Sequence, residues 1–339
     1  MQAWEIRDSF GFDHFHQTER PPAELGPGEV RVKVRAVSLN YRDLLMIRGH
    51  YNPRQPLPLI PCSDGSGEIV EVGPGVDPAR VGERVASCFF QTWSGGPPSS
   101  DKVRGSLGGP LDGMLASERV LRADGVVPVP EHLSDAAAAT LPCAALTAWS
   151  ALVTQADVKA GDVVLVQGTG GVSIFALQFA CLLGAEVIVT SSSDVKLERA
   201  RELGAWQTIN YRDDPDWGKT ARRLTGGRGV DHVVEVGGSG TLMQSLRAVR
   251  IGGHISMIGV LSGRQDKLDV VPILMQNIRV QGVLVASRDS FVDMNRAITA
   301  HQLEPVVDRV FPFAEAPDAF AHLAAGKHLG KVVIELEST

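Results

Sequence analysis

Residues 163–185 read VVLVQGTGGVSIFALQFACLLGA, 23 positions without a charge. A run of that length raises the question of a membrane helix. Four glycines and two glutamines interrupt it, however, and it divides better into a buried strand (VVLVQ), a turn and a buried helix (SIFALQFACLLG). The turn, Gly168-Thr169-Gly170-Gly171-Val172-Ser173, follows the strand directly and opens the helix, which is the placement a dinucleotide-binding fingerprint requires. Gly168 permits a tight turn, Gly170 lets backbone approach a pyrophosphate, and the helix N-terminus offers free N–H groups at its positive end. The third glycine of the usual pattern is Ser173, small enough for close packing and a further hydroxyl donor. A Gly-rich turn with no ligand is the alternative.

Downstream, strand EVIVT ends where a carboxylate would bind the adenosine ribose of NAD. Ser191-Ser192-Ser193 stands there instead, followed by Lys196. Hydroxyls and an ammonium suit a 2′-phosphate, so NADPH is expected ahead of NADH. Asp194 would disfavour that phosphate if it turned inward, or would cap the next helix; Lys196 is otherwise an ordinary surface lysine.

Outward from this stretch, helix and strand alternate: strands EVIVT, TIN, HVVEVG, HISMIGV and IRVQGVLVA interleave with helices KLERARELG, DWGKTARRLT and GTLMQSLRAV. Such alternation gives right-handed βαβ units and a doubly wound parallel sheet, an α/β fold. The first 135 or so residues differ. They carry short β-type runs (EVRVKVRAVSL, SGEIVEVG, ERVASCFF, SERVLRA) divided by Pro- and Gly-rich turns, with one short helix near Tyr41 to Ile47. The last segment, APDAFAHLAAGKHLGKVVIEL, is a helix and a strand that could return to this β-rich domain. Residues 91–113, rich in Gly and Pro around Trp93, are expected as a mobile surface excursion or a lid.

Composition narrows the partner. The 339 residues hold 33 Lys+Arg against 39 Asp+Glu, a net charge of −6, with 44% hydrophobic and 21% charged residues. That length suggests two domains. Basic residues are scattered, so no footprint for nucleic acid or an anionic membrane emerges, and a small-molecule partner is expected. Cys62, Cys88, Cys143 and Cys181 form no CxxC pair, and MQAWEIRDSF lacks a secretory apolar core; both point to the cytoplasm.

Several motifs in order resemble those of the medium-chain dehydrogenase/reductases, and within them the zinc-free quinone oxidoreductase and enoyl reductase branch. They are Asn40-Tyr41-Arg42-Asp43-Leu44-Leu45, Arg48-Gly49-His50-Tyr51, Cys62-Ser63-Asp64-Gly65-Ser66-Gly67, Leu141-Pro142 through Thr147-Ala148-Trp149, the GTGGVS loop, and Ile209-Asn210-Tyr211. The resemblance implies a GroES-like catalytic domain over 1–144, completed by 285–339, and a Rossmann-type domain over 145–284. Carried onto this sequence, the catalytic zinc ligands of the family's alcohol dehydrogenases fall at Asn40, Ser63 and Cys143, of which only the cysteine would ligate. No metal is therefore expected. Without a Lewis acid, an electron-poor C=C conjugated to a carbonyl is the easier hydride acceptor, since the developing oxyanion needs only hydrogen-bond donors and a proton source.

For that chemistry the resemblance places Tyr51 as proton donor, or as a wall of the pocket. Asn40 is an amide donor to a carbonyl or the nicotinamide, or with Asp43 a helix cap; Thr147 contacts the nicotinamide or merely packs. Tyr211 would stack near the 2′-phosphate. Gly237 and Gly238, Ile258 and Gly259, and Val283 with Val285 are expected at the ends of the fourth strand and the fifth, and on the sixth, where ligands bind in such sheets. Lys331 would reach the cofactor or lie on a plain edge strand. Cys143 is expected as an inert thiol. Arg54, Arg104 and Arg288 are weaker candidates for an anionic substrate such as a CoA thioester. Strand IRVQGVLVA at the sheet edge suits a homodimer. The expected activity is an NADPH-dependent, zinc-independent reduction of an enoyl thioester, enone or quinone. The alternatives are an alcohol dehydrogenase or carbonyl reductase of the same fold and a non-catalytic NADPH-binding protein.

Overall fold

A computed structural model describes residues 1–262 and 268–336. The chain forms two compact units, one of residues 1–146 with 286–339 and the other of residues 147–285.

In the first unit, β1 (Gln2–Ile6) and β2 (Phe15–Glu19) form an antiparallel pair. β3 (Glu29–Ser38) follows, with valines at alternate positions buried and charged residues between them, the period of a half-buried strand. β4 (Asp64–Val72), β5 (Arg84–Ser87), β6 (Glu118–Arg122) and β7 (Val126–Pro128) complete the N-terminal strands, all joined antiparallel. The helix Tyr41–Ile47 leaves the end of β3 and buries Leu44, Met46 and Ile47 in the core of this unit.

The second unit is a parallel sheet of β8 (Val163–Gln167), β9 (Glu186–Ser191), β10 (Gln207–Asn210), β11 (Val230–Glu235), β12 (Val249–Met257) and β13 (Arg279–Gly282). Its spatial order is β10-β9-β8-β11-β12-β13, so the order in which successive strands are added reverses between β8 and β11. Ligands bind at such a switch point, beyond the carboxyl ends of the strands. β8 is buried at every residue and the helix Gly171–Leu182 is largely buried, which accounts for the unbroken apolar run of 163–185. Another apolar helical run, Asp135–Thr154, is also long enough to span a bilayer and is mostly buried within the chain.

The chain then returns to the first unit through β14 (Val307–Pro312) and β15 (Lys331–Glu335). β15 lies between β14, which it pairs in parallel, and β3, which it pairs antiparallel. It is therefore an interior strand, which corrects the edge-strand alternative for Lys331.

Two further expectations change. Strand IRVQGVLVA is shorter than its composition suggests: β13 stops at Gly282, and Val285 adopts a left-handed φ of 49° just before the first unit resumes. Val283 and Val285 thus lie past the sixth strand, although the Val283 N–H still donates to Met257 O at 2.9 Å. Residues 91–113 are largely pinned. Trp93 is buried with its indole N–H on Gly96 O, and Asp112 accepts the Ile60 N–H at 2.9 Å. The aromatic contact of Trp93 with Phe90 supplies the core that the Gly/Pro composition concealed.

Candidate active site

In the second unit, the fingerprint loop takes the shape its sequence requires. Gly168 has φ 72°, and its N–H donates to Thr190 O at 2.7 Å, tying the turn to β9. A Cβ at Gly170 would meet nothing within 4 Å, so open space faces the loop at the N-terminus of the twelve-residue helix beginning at Gly171. Free N–H groups of that first turn, including those of Gly171 and Val172, suit a pyrophosphate. Ser173 acts differently from the expectation: its buried hydroxyl donates to Gln167 O at 2.6 Å, closing the turn from inside rather than facing a ligand. Thr169 and Thr147 are buried too.

At the end of β9, Ser191 is buried and its hydroxyl accepts the Ser193 N–H at 3.4 Å. Ser192 and Lys196 are half-buried, and Tyr211, beyond β10, is exposed. Ser193, not Asp194, precedes the helix Asp194–Glu202, and the Asp194 carboxylate accepts the Asn210 side-chain amide at 2.8 Å.

Beyond β11, Gly237 and Gly238 are fixed by a residue the sequence reading passed over. Glu235 is fully buried; Oε1 accepts the Gly237 and Gly238 N–H groups at 2.8 and 3.0 Å and the Thr241 hydroxyl at 2.5 Å. Oε2 accepts the Gln167 amide at 2.6 Å and the Ser245 hydroxyl. The Ile258 N–H donates to the Glu235 carbonyl at 2.9 Å, and a Cβ at Gly259 would stand 2.3 Å from Val236 O. One carboxylate therefore braces β8, the β11 turn and the following helix. Its signal was available in part: an acid directly follows the apolar pair Val233-Val234 at the strand's carboxyl end.

The first unit carries the other candidates. Register aligns the start of β15 with the end of β3 and the start of β4, since Val333 faces Ser38 and Ser38 faces Asp64. Lys331, Asn40 and Asp64 meet there, 291 residues separating the first two. The Lys331 ammonium, 3% exposed, donates to Leu39 O at 2.7 Å and Asn40 Oδ1 at 2.6 Å and lies 4.0 Å from Asp64 Oδ2. Asp64 accepts the Ser63 hydroxyl at 2.6 Å and the Cys143 N–H at 3.2 Å. The latter N–H is freed by a π-helical turn over Leu141–Ala145, where Pro142 withholds a donor from the helix. Burial raises the Asp64 carboxyl above its ordinary value, with the Lys331 charge pulling against it. Lys331 was expected to reach the cofactor; the structure instead places it inside this cluster.

Asn40 precedes the helix Tyr41–Ile47, and the Asp43 carboxylate accepts its N–H at 2.8 Å, as the capping pattern predicts. The Asn40 side chain also reaches past the cap: Nδ2 is buried on the side of the Asp64 carboxylate, and Asp43 Oδ1 lies 4.0 Å from Arg42 Nη1. Burial pushes the Asp43 carboxyl up to about 6 despite the neighbouring Arg42. Tyr51 is 44% exposed, its ring 4.9 Å from the Arg42 guanidinium, which lies 4.7 Å from Phe89 on another side and donates to Leu107 O and Gly109 O. The pinned 91–113 segment thus supports Tyr51 through Arg42.

The positions that would carry zinc in alcohol dehydrogenases do not fit the ion here. The Ser63 hydroxyl is spent on Asp64, the Asn40 oxygen faces an ammonium, and burial raises the Cys143 thiol well away from its thiolate. No group of three His, Cys, Asp or Glu side chains among the described residues is arranged to hold a metal.

Two family models match the chain: an alcohol dehydrogenase GroES-like domain over residues 26–131 and a zinc-binding dehydrogenase domain over 171–300. A zinc-type alcohol dehydrogenase-like protein of Schizosaccharomyces pombe is 44% identical over 96% of both chains. The chain belongs to the medium-chain dehydrogenase/reductase superfamily. A 2-haloacrylate reductase from Burkholderia is 31% identical over 98% of both chains. Among solved structures, a proposed alcohol dehydrogenase of Sinorhizobium meliloti superposes with TM-score 0.92 at 44% identity, covering 98% of each chain. An NAD-dependent alcohol dehydrogenase follows at 0.90 and 34%, covering 99% of this chain and 100% of that one. A crotonyl-CoA carboxylase/reductase in complex with NADP superposes at 0.89 and 25%, covering 99% and 94%. The chain is an oxidoreductase with a GroES-like domain, a Rossmann-type sheet and a nicotinamide cofactor.

Proposed function

We propose that this oxidoreductase reduces a C=C bond conjugated to a carbonyl, uses NADPH and works without zinc. The observation that carries this is the buried Asn40–Lys331–Asp64 cluster, which stands where the zinc-dependent relatives would place metal ligands. The bound cofactor supplies hydride to the β-carbon. Asn40 Nδ2 donates to the substrate carbonyl as negative charge develops on its oxygen. Tyr51, exposed and propped by Arg42, gives the proton to the α-carbon. A relative named for 2-haloacrylate reduction and one for crotonyl-CoA reduction support the substrate class, an enoyl thioester or enone ahead of a quinone.

NADPH is preferred over NADH because β9 ends in serines with Lys196 nearby. Reduced-cofactor fluorescence titration checks this; equal affinities for the two cofactors would remove the preference. The β13 edge, with Leu274 79% and Met275 74% exposed close by, suits a homodimer, and four free cysteines suit a reducing cytoplasm. The activity test follows the loss of reduced-nicotinamide absorbance against crotonyl-CoA, 3-methylcrotonyl-CoA, a simple enone, a quinone and an aldehyde. Turnover of the enone or an enoyl-CoA is expected. The relatives named alcohol dehydrogenase favour a second reading, carbonyl chemistry, which activity confined to the aldehyde would select.

A further inference from the structure

We propose that Arg42 is a positioning residue for proton delivery: its guanidinium holds the Tyr51 ring and offsets the negative charge that the phenol carries once its proton has left. The inference rests on the reading of Tyr51 as the donor to the α-carbon. Tyr51 follows the helix Tyr41–Ile47 through a closed turn. Its N–H donates to Leu45 O at 3.2 Å, and Gly49 takes φ 71° so near Phe10 that a Cβ would stand 2.8 Å from that ring. The turn brings Tyr51 back against Arg42, with 4.9 Å between the guanidinium carbon and the ring centroid.

The two side chains are held unequally. That of Arg42 is 9% exposed and is fastened by Nη1 on Leu107 O at 2.8 Å, by Nη2 on Gly109 O at 3.2 Å and by the Phe89 ring at 4.7 Å. Tyr51, 44% exposed, leans on this fixed plane. Burial works against the guanidinium charge, but the Asp43 carboxylate and the Tyr51 phenol outweigh it and hold Arg42 above its ordinary value, so the cation persists. A cation within about 6 Å of a ring centroid is attracted to the ring face. The attraction grows when the phenol loses its proton, because the negative charge spreads from the oxygen into the ring. In that step the phenolic O–H bond breaks, its electron pair stays on Tyr51, and a C–H bond forms at the α-carbon. Water then returns a proton to the solvent-open phenol before the next turnover. A neutral neighbour would prop the ring as well at rest, and only the charge favours the later state.

The test separates charge from support. Arg42→Lys and Arg42→Gln each break the clasp on Leu107 and Gly109, and only the lysine keeps a cation. With crotonyl-CoA and 2-cyclohexen-1-one as substrates, kcat is expected to fall about tenfold in Arg42→Gln, the scale of a desolvated cation–π contact, and by no more than about threefold in Arg42→Lys. The solvent deuterium effect on kcat should rise in Arg42→Gln only, since the proton step alone has slowed. In a Tyr51→Phe background, which keeps the ring, the difference between the two Arg42 variants should vanish. Phe89→Leu loosens the guanidinium without removing its hydrogen bonds and repeats the cycle where the Arg42 variants do not fold; its loss of kcat should likewise need the Tyr51 hydroxyl. Equal losses in Arg42→Lys and Arg42→Gln, or a difference that survives Tyr51→Phe, would overturn the proposal. Wild-type kcat in Tyr51→Phe would overturn the reading of Tyr51 as donor, and the proposal with it. If only an aldehyde is reduced, the functional reading fails, and the same contrast between the two Arg42 variants, read on that aldehyde, decides whether Arg42 assists a proton bound for the carbonyl oxygen.

Discussion

Each unit buries a polar network where its strands end, and the two are finished to different degrees. Around Glu235 in the second unit, five donors converge on two carboxylate oxygens. Around Lys331 in the first, the charges are matched, yet the Asn40 amide nitrogen and Asp43 Oδ1 make no hydrogen bond of ordinary length among the described residues and face Asp64 and Arg42 at longer range. A satisfied network spends its bonds on holding backbone, here the Gly237-Gly238 turn. An unsatisfied one retains bonding capacity that only a ligand or water can use. The contrast separates scaffold from chemistry without reference to any motif.

The largest effect expected from this contrast is in the finished network. Glu235→Ala would strand buried donors on Gln167, Thr241 and Ser245, and we expect a loss of about 4 kcal/mol in urea unfolding, with NADPH affinity falling as the turn loosens. Wild-type stability in that variant would break the comparison.

A third buried polar group sharpens it. His254 on β12 sits opposite His232 on β11, with ring centroids 6.1 Å apart; His232 reaches Asp162 at 3.2 Å, while both ring nitrogens of His254 lack partners among the described residues. Burial pushes His254 down to about 4, with His232 and Arg279 adding repulsion. Because the folded value lies below the unfolded one, the associated stability is present above pH ~6.5 and lost as pH falls toward 4. On the order of 3 kcal/mol should disappear over that window in wild type and be retained in His254→Phe, after comparing their unfolding free energies at each pH.

Asp43 shifts the other way. Its folded value, about 6, lies above the unfolded one, so its contribution is full at low pH and lost as pH rises through about 6. Asp43→Asn keeps an oxygen for the Asn40 N–H and should gain on wild type by about 2 kcal/mol between pH ~4 and ~7. A difference that is flat with pH would show that Arg42 fully offsets the buried charge. The smallest effect is expected for Thr241→Val, which removes one of the five donors to Glu235 at constant shape. A loss of about 1 kcal/mol, read from the shift in urea midpoint, would show the remaining four sharing the load.

Legibility in the sequence followed the distance over which each feature is built. The GTGGVS loop was readable because strand, turn and helix are consecutive, and so was the Asn40–Asp43 cap, whose partners are three residues apart. Ser173 was misjudged because the direction of a hydroxyl depends on how tightly the turn closes around Gln167. The trimmed sixth strand was missed because the backbone reversal at Val285 competes with β-propensity that continues past Gly282. Glu235 could have been singled out as an acid directly after the apolar pair Val233-Val234, although its five donors could not.

The sequence by itself determined the parallel sheet and the phosphate loop, since each depends on local periodicity. Tertiary structure decided which polar groups meet in the first unit. Lys331, Asn40 and Asp64 become neighbours only through the register of β15 on β3 and β3 on β4. A register slip of one residue would send each side chain to the opposite face of the sheet. That pairing is fixed by core packing over the whole unit, so no window of sequence around any of the three contains it.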